Sequence, residues 1–386
     1  MNTNSYLCRF LAAHPGDWEE RLKRDYDLRI KRDGEYAVFN YEINADFYDP
    51  IVQEARGIIL DTEQYEVVCW PFRKFGNYSE GYADRIDWSS ARVLEKIDGS
   101  IIKLWYDKKG ATWQFSTNRT IRAEVASVEG EPLLTYAGLI AEAENYPQIP
   151  WDSLDRDLTY IFELVSPRAR VVIPYEKTLL YHLGTRNNLT GEELDVDIGI
   201  SKPMAYPLAS LEDCINAATM LNRGEAAEGI QREGFVVVDA AYRRVKVKSV
   251  DYIMMHRVTS LKMIGRKECL HMLLEGRKQV EELMKRPSLV PVIRYYEYRL
   301  AELLYQADIM GEFAVRLYEE CGRERRAVAA AIAKHRLGFV GFICLDRGQS
   351  GREVLLSLPI EKWESLIPEY VGEDMLSDLM KRAAAR

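Results

Sequence analysis

The sequence predicts an α+β protein of two domains, with antiparallel sheets over 1–250 and a mostly α-helical part over 251–386. Three observations carry this. Between about 35 and 250, short runs rich in Val, Ile, Tyr and Phe are separated by turns, the pattern of strands. After about 250 the apolar spacing changes to three and four residues, the helical period. Charge divides at the same place. Residues 255–386 hold 22 basic and 19 acidic side chains, a net +3, which leaves −11 for 1–254 out of the total −8. A length of 386 residues also suits two or three domains at about 150 residues each.

In chain order, strands are predicted at Tyr36–Tyr41, Arg56–Asp61, Glu66–Trp70, Arg92–Glu95, Ser100–Tyr106, Trp113–Ser116, Leu158–Leu164, Thr178–Leu183, Gly234–Asp239 and Arg243–Lys248. Helices are predicted at Trp18–Asp27, Leu133–Glu144 and Leu211–Asn222, then at Val292–Gln306, Ile360–Leu366 and Glu373–Ala385. In Val292–Gln306 the residues Ile293, Tyr296, Leu300, Leu303 and Leu304 recur at helical spacing. Pro287 and Pro291 are predicted to bracket a loop between helices.

Composition excludes several classes. Hydrophobic residues at 47% and charged residues at 29%, with only 24 Gly and 14 Pro, describe an ordinary globular chain. The longest apolar stretch is the nine residues Leu337 to Leu345, against the roughly 20 that a membrane span needs. With no signal-peptide pattern, a cytoplasmic protein is expected. The negative total excludes a general basic coat for nucleic acid and leaves room for a local basic groove. Six scattered cysteines without a Cys-x-x-Cys pair fit a reduced compartment and argue against structural zinc. There is neither a His-Glu-x-x-His helix nor a Gly-x-x-x-x-Gly-Lys-Ser/Thr phosphate loop.

The chemistry-bearing pattern begins at Lys96-Ile97-Asp98-Gly99-Ser100. Alone it reads as a hairpin turn, because Asp-Gly between strands is a strong hairpin signal. Downstream lies Glu163, an acid inside the hydrophobic strand Tyr160-Ile161-Phe162-Glu163-Leu164, where an unpartnered carboxylate is rare. Glu233-Gly234 opens the strand Phe235-Val236-Val237-Val238. Lys246 and Lys248 alternate with Val245 and Val247, which puts both lysines on one strand face, about 6.6 Å apart at 3.3 Å per residue. Each piece has a plain reading as a salt-bridged acid, a strand start or a solvated edge. Their combination in this order does not.

Lys-x-Asp-Gly, Glu in a hydrophobic strand, Glu-Gly with a hydrophobic strand, then Lys-x-Lys resembles the covalent nucleotidyltransferases, which include RNA and DNA ligases and mRNA capping enzymes. The finer resemblance is to the phage-type RNA ligase 1 family. Arg56-Gly57-Ile58, Lys74-Phe75, the segment Ala169 to Tyr175 and Val247-Lys248-Ser249 resemble segments of that family, and the likeness covers roughly 36–256. One departure is Thr117-Asn118-Arg119-Thr120, where the family has a lysine and Arg119 is the candidate substitute.

The resemblance implies a nucleotidyltransferase (adenylation) domain over 1–250 and roles for its residues. Lys96 is the expected nucleophile on the α-phosphorus of ATP. An unperturbed lysine has a pKa near 10.4, so about one in a thousand is neutral at pH 7.5. Lys246, Lys248 and a divalent metal are expected to favour the neutral form. Lys246 and Lys248 would bind the α-phosphate, Glu163 the ribose and Glu233 the metal, Mg²⁺ or Mn²⁺. Asp98 would hold a metal-bound water. Arg56 and Lys74 would lie near the phosphates. Tyr41, Val236 and Tyr181 are the candidates for holding adenine.

The function so implied is ATP-dependent joining of RNA 5′-phosphate and 3′-hydroxyl ends, through a lysyl-AMP and an RNA-adenylate. The implied context is RNA repair, of tRNA among others, with a separate end-healing kinase–phosphatase. Arg323, Arg325, Arg326, Lys334, His335 and Arg336 form a basic stretch in the helical part, a candidate phosphate-contacting surface. The alternatives are a DNA ligase or capping enzyme, which would follow Lys248 with a β-barrel, and a non-catalytic RNA-binding relative.

Overall fold

The computed structural model describes residues 4–128, 131–221, 232–249, 252, 253, 256, 265–275, 277–284, 289–371 and 380. The chain divides into two compact units, Met1–Met255 and His256–Arg386.

The first unit holds three antiparallel sheets and a small two-stranded one. Helices α1 (Tyr6–Ala13) and α2 (Trp18–Tyr26) precede the first sheet, β1 (Leu28–Asp33), β2 (Tyr36–Tyr41), β3 (Arg56–Asp61) and β4 (Glu66–Cys69), with α3 (Pro50–Glu54) between β2 and β3. Leu7, Leu11, Trp18 and Leu22 of the helices are buried with Leu28, Ile30, Phe39, Ile58 and Leu60 of this sheet. Neither α1 nor β1 is predicted from the sequence. In β1 only Leu28 and Ile30 face inward, and four of its six residues are charged.

The other two large sheets interleave in sequence. Strands β5 (Arg92–Glu95), β6 (Ser100–Asp107) and β7 (Thr112–Thr117) are followed by the short pair β8 (Ser127–Val128) and β9 (Glu131–Thr135), and by α4 (Tyr136–Ala141). Then come β10 (Leu158–Val165), β11 (Leu179–Asn187), β12 (Glu193–Leu194), β13 (Ala205–Tyr206), α5 (Leu211–Met220), β14 (Gly234–Val238) and β15 (Arg244–Lys248). The second sheet runs β12-β11-β10-β6-β7 and the third β13-β5-β14-β15. Apolar faces of the second sheet, Ile102, Leu104, Tyr160, Phe162 and Leu164, pack with Leu139 and Ile140 of α4. Val93, Phe235, Val237, Val245 and Val247 of the third pack with Cys214 and Ala218 of α5.

Two predictions change here. The segment Lys96–Gly99 is no hairpin turn, because β5 and β6 belong to different sheets and the segment crosses between them. The predicted helix Leu133–Glu144 begins as strand β9 and becomes helical only at Tyr136. There the Thr135 hydroxyl caps the helix by accepting the Gly138 N–H.

The described part of the second unit is helical: Arg266–Glu275, Arg277–Met284, the 31-residue Val290–Glu320, Arg325–Ile332, Gly338–Arg347, Gly351–Leu356 and Ile360–Leu366. Pro291 lies in the first turn of the long helix rather than in a loop. Proline is tolerated there because its missing N–H would have no partner in the helix. Pro287 and nearly all of Glu373–Ala385 lie outside the described residues. Among the described residues no helix is long and apolar enough to cross a membrane. All six cysteines are free.

Candidate active site

Lys96 follows β5, and its N–H donates to the Gly234 carbonyl at 2.9 Å, which fastens the segment to β14. Its ammonium donates to Glu233 Oε2 at 2.8 Å. The Lys248 ammonium meets the other oxygen, Oε1, at 2.7 Å. One buried carboxylate thus bridges two lysines that are 152 positions apart in number, brought together because β14 pairs with both β5 and β15. Burial pushes the Glu233 carboxyl up, but Lys96 and Lys248 more than reverse this and hold it below its ordinary value. Burial pulls the Lys96 ammonium down, but Glu233 and Glu163 outweigh that and raise it. This reverses the expectation of a lowered lysine. In the protein alone Glu233 stands between the two ammonium groups.

Lys246 and Lys248 do share one strand face, while Val245 and Val247 are buried on the other. The Lys246 ammonium lies 4.6 Å from the centre of the Phe75 ring and the Arg56 guanidinium 5.3 Å from the same centre. Phe75, nearly buried, therefore holds two cations that would otherwise repel. Burial, with Arg56, Lys96, Lys74 and Lys248 around it, drives Lys246 well below the ordinary lysine value. The Lys74 ammonium sits 5.0 Å from the Tyr41 ring and 4.6 Å from Phe47.

Glu163 is on β10, opposite Ile101 of β6 and Tyr181 of β11. Burial first, with Glu233 and Asp98 adding, raises it to about 7 against the opposing pull of Lys96 and Arg56. Gly99 is what allows β10 so near. A Cβ there would strike the Leu164 carbonyl and the Glu163 side chain. Val236 packs with Phe72, Phe75 and Ile161. Tyr41 is not in that apolar cluster. It packs with the first sheet and lies under Lys74.

Asp98 differs most from its expected role. Its Oδ2 accepts the N–H groups of Val172 and Ile173 at 2.9 and 2.8 Å, and its Oδ1 accepts the Tyr252 hydroxyl at 2.6 Å. Its own N–H donates to the Tyr175 hydroxyl at 3.1 Å. The carboxylate is a clamp that ties the Lys96 segment to the Val172–Tyr175 segment. Three of the roughly four acceptor positions of the carboxylate are thus used within the protein.

Arg119 is exposed. The buried cation near that position is Lys103 of β6, which the sequence reading passed over. Its ammonium donates to the Gly57 carbonyl at 2.6 Å and the Thr117 carbonyl at 2.7 Å, joining the first and second sheets beside Arg56. The available signal was a lysine amid Ile101-Ile102-Lys103-Leu104-Trp105. Burial lowers it to about 8. This has a testable sign. Below pH 8 folded and unfolded chains both carry the proton. Between about 8 and 10.5 only the unfolded chain keeps it, so stability rises with pH. Relative to Lys103→Met, the wild type should gain up to about 1.4 kcal/mol per pH unit in that window. Urea melts at pH 7 and 9.5 read this directly, and a flat difference would contradict it.

The residues suit a polyphosphate. Five cations, Lys74, Arg56, Lys246, Lys248 and Lys96, act on one another, with Glu163, Glu233 and Asp98 among the carboxylates that offset them. Among the described residues no group of three His, Cys, Asp or Glu side chains could hold a metal alone. A site with one carboxylate and the remaining oxygens from phosphate and water is the usual way of binding Mg²⁺.

In the helical unit, Arg323 pairs with Glu319 at 3.3 Å and Arg325 with Asp346 at 2.5 Å, while Arg336 donates to Gln306 at 2.7 Å. Arg323, Arg325 and Arg336 of the predicted basic stretch are thus engaged within their own unit, as is His335, which accepts the Leu337 N–H at 3.1 Å.

Comparison with known proteins places this geometry. A protein of Autographa californica nuclear polyhedrosis virus, named "Putative bifunctional polynucleotide kinase/RNA ligase", is 33% identical over 254 residues. That match takes in 60% of this chain and 35% of the relative. The RNA ligase of Rhodothermus phage RM378 is 24% identical over 320 residues, 66% of this chain and 72% of the relative. Among solved structures, an archaeal ATP-dependent RNA ligase aligns over 61% of each chain with 14% identity and a TM-score of 0.41. The profile of the RNA ligase family matches residues 54–258, a span that holds Lys96, Glu163, Glu233, Lys246 and Lys248. The chain belongs to the RNA ligase family.

Proposed function

We propose that this chain is an ATP-dependent RNA ligase that joins a 5′-phosphate end to a 3′-hydroxyl end. The observation that carries this is the Glu233 carboxylate between Lys96 and Lys248, within a cluster of five cations. Lys96 Nζ, once neutral, attacks the α-phosphorus of ATP. A P–N bond forms, the bond to the β-phosphate oxygen breaks, and pyrophosphate leaves. The AMP then passes to the RNA 5′-phosphate oxygen, which regenerates Lys96. The 3′-hydroxyl finally attacks the activated 5′-phosphorus and AMP departs. Lys246, Lys248 and Arg56 bind the phosphate oxygens, and the work is positioning and charge neutralisation. Glu163, raised to about 7 by burial, would hold the ribose hydroxyls. A divalent cation, Mg²⁺ in this proposal, would be held by Glu233 and offset phosphate charge.

No strand follows Lys248 among the described residues, which favours RNA ligase over the β-barrel-bearing DNA ligases and capping enzymes. A cleaved tRNA is the proposed physiological substrate, with a separate kinase–phosphatase supplying its ends and the helical unit contributing to RNA binding. The name of the viral relative, which couples polynucleotide kinase with RNA ligase, supports such a pairing.

Incubation with α-labelled ATP and Mg²⁺, followed by peptide mapping, tests the reading. Label is expected on Lys96 with release of pyrophosphate, and 5′-phosphorylated RNA should be sealed. Transfer from GTP in place of ATP would mean a capping enzyme. No transfer from either would refute covalent catalysis.

A further inference from the structure

The cation cluster does not end in solvent at Lys74. Four aromatic rings continue from it in series. Tyr41 and Phe47 have ring centres 5.0 Å apart, Phe47 and Tyr82 5.5 Å, and Tyr82 and Tyr48 6.1 Å. The inner two rings lie under the Lys74 ammonium. The outer end is open to water, with Tyr48 67% exposed. A second tyrosine, Tyr78, is 40% exposed on the segment that follows Lys74. Its N–H donates to the Lys246 carbonyl at 3.0 Å, so it is fastened directly to a strand of the phosphate site.

Both tyrosines are tied to the surrounding chain, Tyr78 through its backbone and Tyr48 through its neighbours. The Tyr48 hydroxyl lies against Gly81, where any Cβ would collide with it. Behind it, the Tyr82 hydroxyl donates to Glu80 Oε2 at 2.8 Å, and the same oxygen accepts the Asn77 N–H at 2.5 Å. That network folds the single segment that carries both Tyr78 and Tyr82 back on itself. Large aromatic side chains left exposed to water beside a cation cluster serve neither the core nor nucleotide transfer from ATP to Lys96. Single-stranded nucleic acid is the ligand that pairs an aromatic platform with adjacent cations, because its bases stack while its phosphates meet the charges.

We propose that Tyr48 and Tyr78 form a stacking subsite for bases of the single-stranded RNA end being joined, with Lys74 and the cations beside it receiving the backbone phosphates. This rests on the RNA ligase reading above and adds to it the means of gripping the end. The subsite is indifferent to base identity, since every base presents a stackable face.

The test uses the full chain with Tyr48→Ala, Tyr78→Ala, the double variant and Tyr48→Trp. Lysyl-AMP formation from α-labelled ATP, without RNA, should proceed in all of them at the wild-type rate. The KM for a 5′-phosphorylated single-stranded RNA should rise about tenfold in each single alanine variant, with kcat changed less than threefold. Tyr48→Trp should restore the wild-type KM. RNA whose terminal three nucleotides lack bases should bind the wild type and the double variant equally weakly. An unchanged KM in the double variant would overturn the proposal. So would an equal loss with normal and abasic RNA, or a loss of lysyl-AMP formation, which would make the rings part of the nucleotide site. Fluorescence anisotropy with labelled single-stranded RNA reads the same contrast without catalysis. Should the wild type form no lysyl-AMP, the ligase reading fails, and anisotropy still decides the stacking subsite.

Discussion

Lys96→Ala is expected to abolish label transfer from ATP while leaving the sealing of pre-adenylated RNA within about tenfold of wild type. The contrast follows from bond order. In the proposed reaction Lys96 is consumed when AMP loads and regenerated when AMP moves to the RNA. The last step makes no bond to it. Its side chain is partly buried against Glu233, so truncation to alanine removes a cation without opening a core. Ligation of 5′-phosphorylated RNA and of the same RNA carrying 5′-adenylate, run in parallel, measures both arms. A Lys96→Ala enzyme that still forms a covalent adenylate would mean that another residue is the nucleophile.

Glu233→Ala should fail on both substrates, each by on the order of 10²- to 10³-fold, the scale on which one preorganised electrostatic group acts. The carboxylate is 2% exposed and is the shared partner of Lys96 and Lys248. Its loss leaves the two ammonium groups facing each other and removes the oxygen donor proposed for the cation. The effect reaches every step that carries phosphate charge. Single-turnover rates on ATP and on pre-adenylated RNA read it. If Lys96→Ala and Glu233→Ala behave alike on pre-adenylated RNA, the division between nucleophile and electrostatic clamp is wrong.

How much of this was legible in the sequence depended on the kind of signal. Strands such as Tyr36–Tyr41 and Arg56–Asp61 are recovered to the residue, because short runs rich in Val, Ile, Tyr and Phe between turns report burial on a sheet. Leu133–Thr135 misleads because a short apolar run reads alike as strand or helix. The α+β class and the family are legible from residue order alone. The orientation of a side chain is not. Asp98 is recognisable as a carboxylate two residues from the nucleophile, yet its partners Val172, Ile173 and Tyr252 lie 74 to 154 positions away. Lys103 was missed for a related reason. A lysine in a strand reads as solvated until the fold surrounds it with carbonyl groups.

The interleaving of the second and third sheets governs when the protein becomes chemically competent. The third sheet draws its strands from residues 92–95, 205–206, 234–238 and 244–248. Lys96 emerges from the ribosome 137 residues before Glu233. Nearly the whole first unit must therefore leave the exit tunnel before the two can meet. A nascent or truncated chain that stops short of Glu233 and β14 carries the amine but none of the residues that confine it. Topologies with such distant pairings fold slowly. The lysine–carboxylate cluster is thus complete only in a chain in which the β14–β15 hairpin pairs with β5.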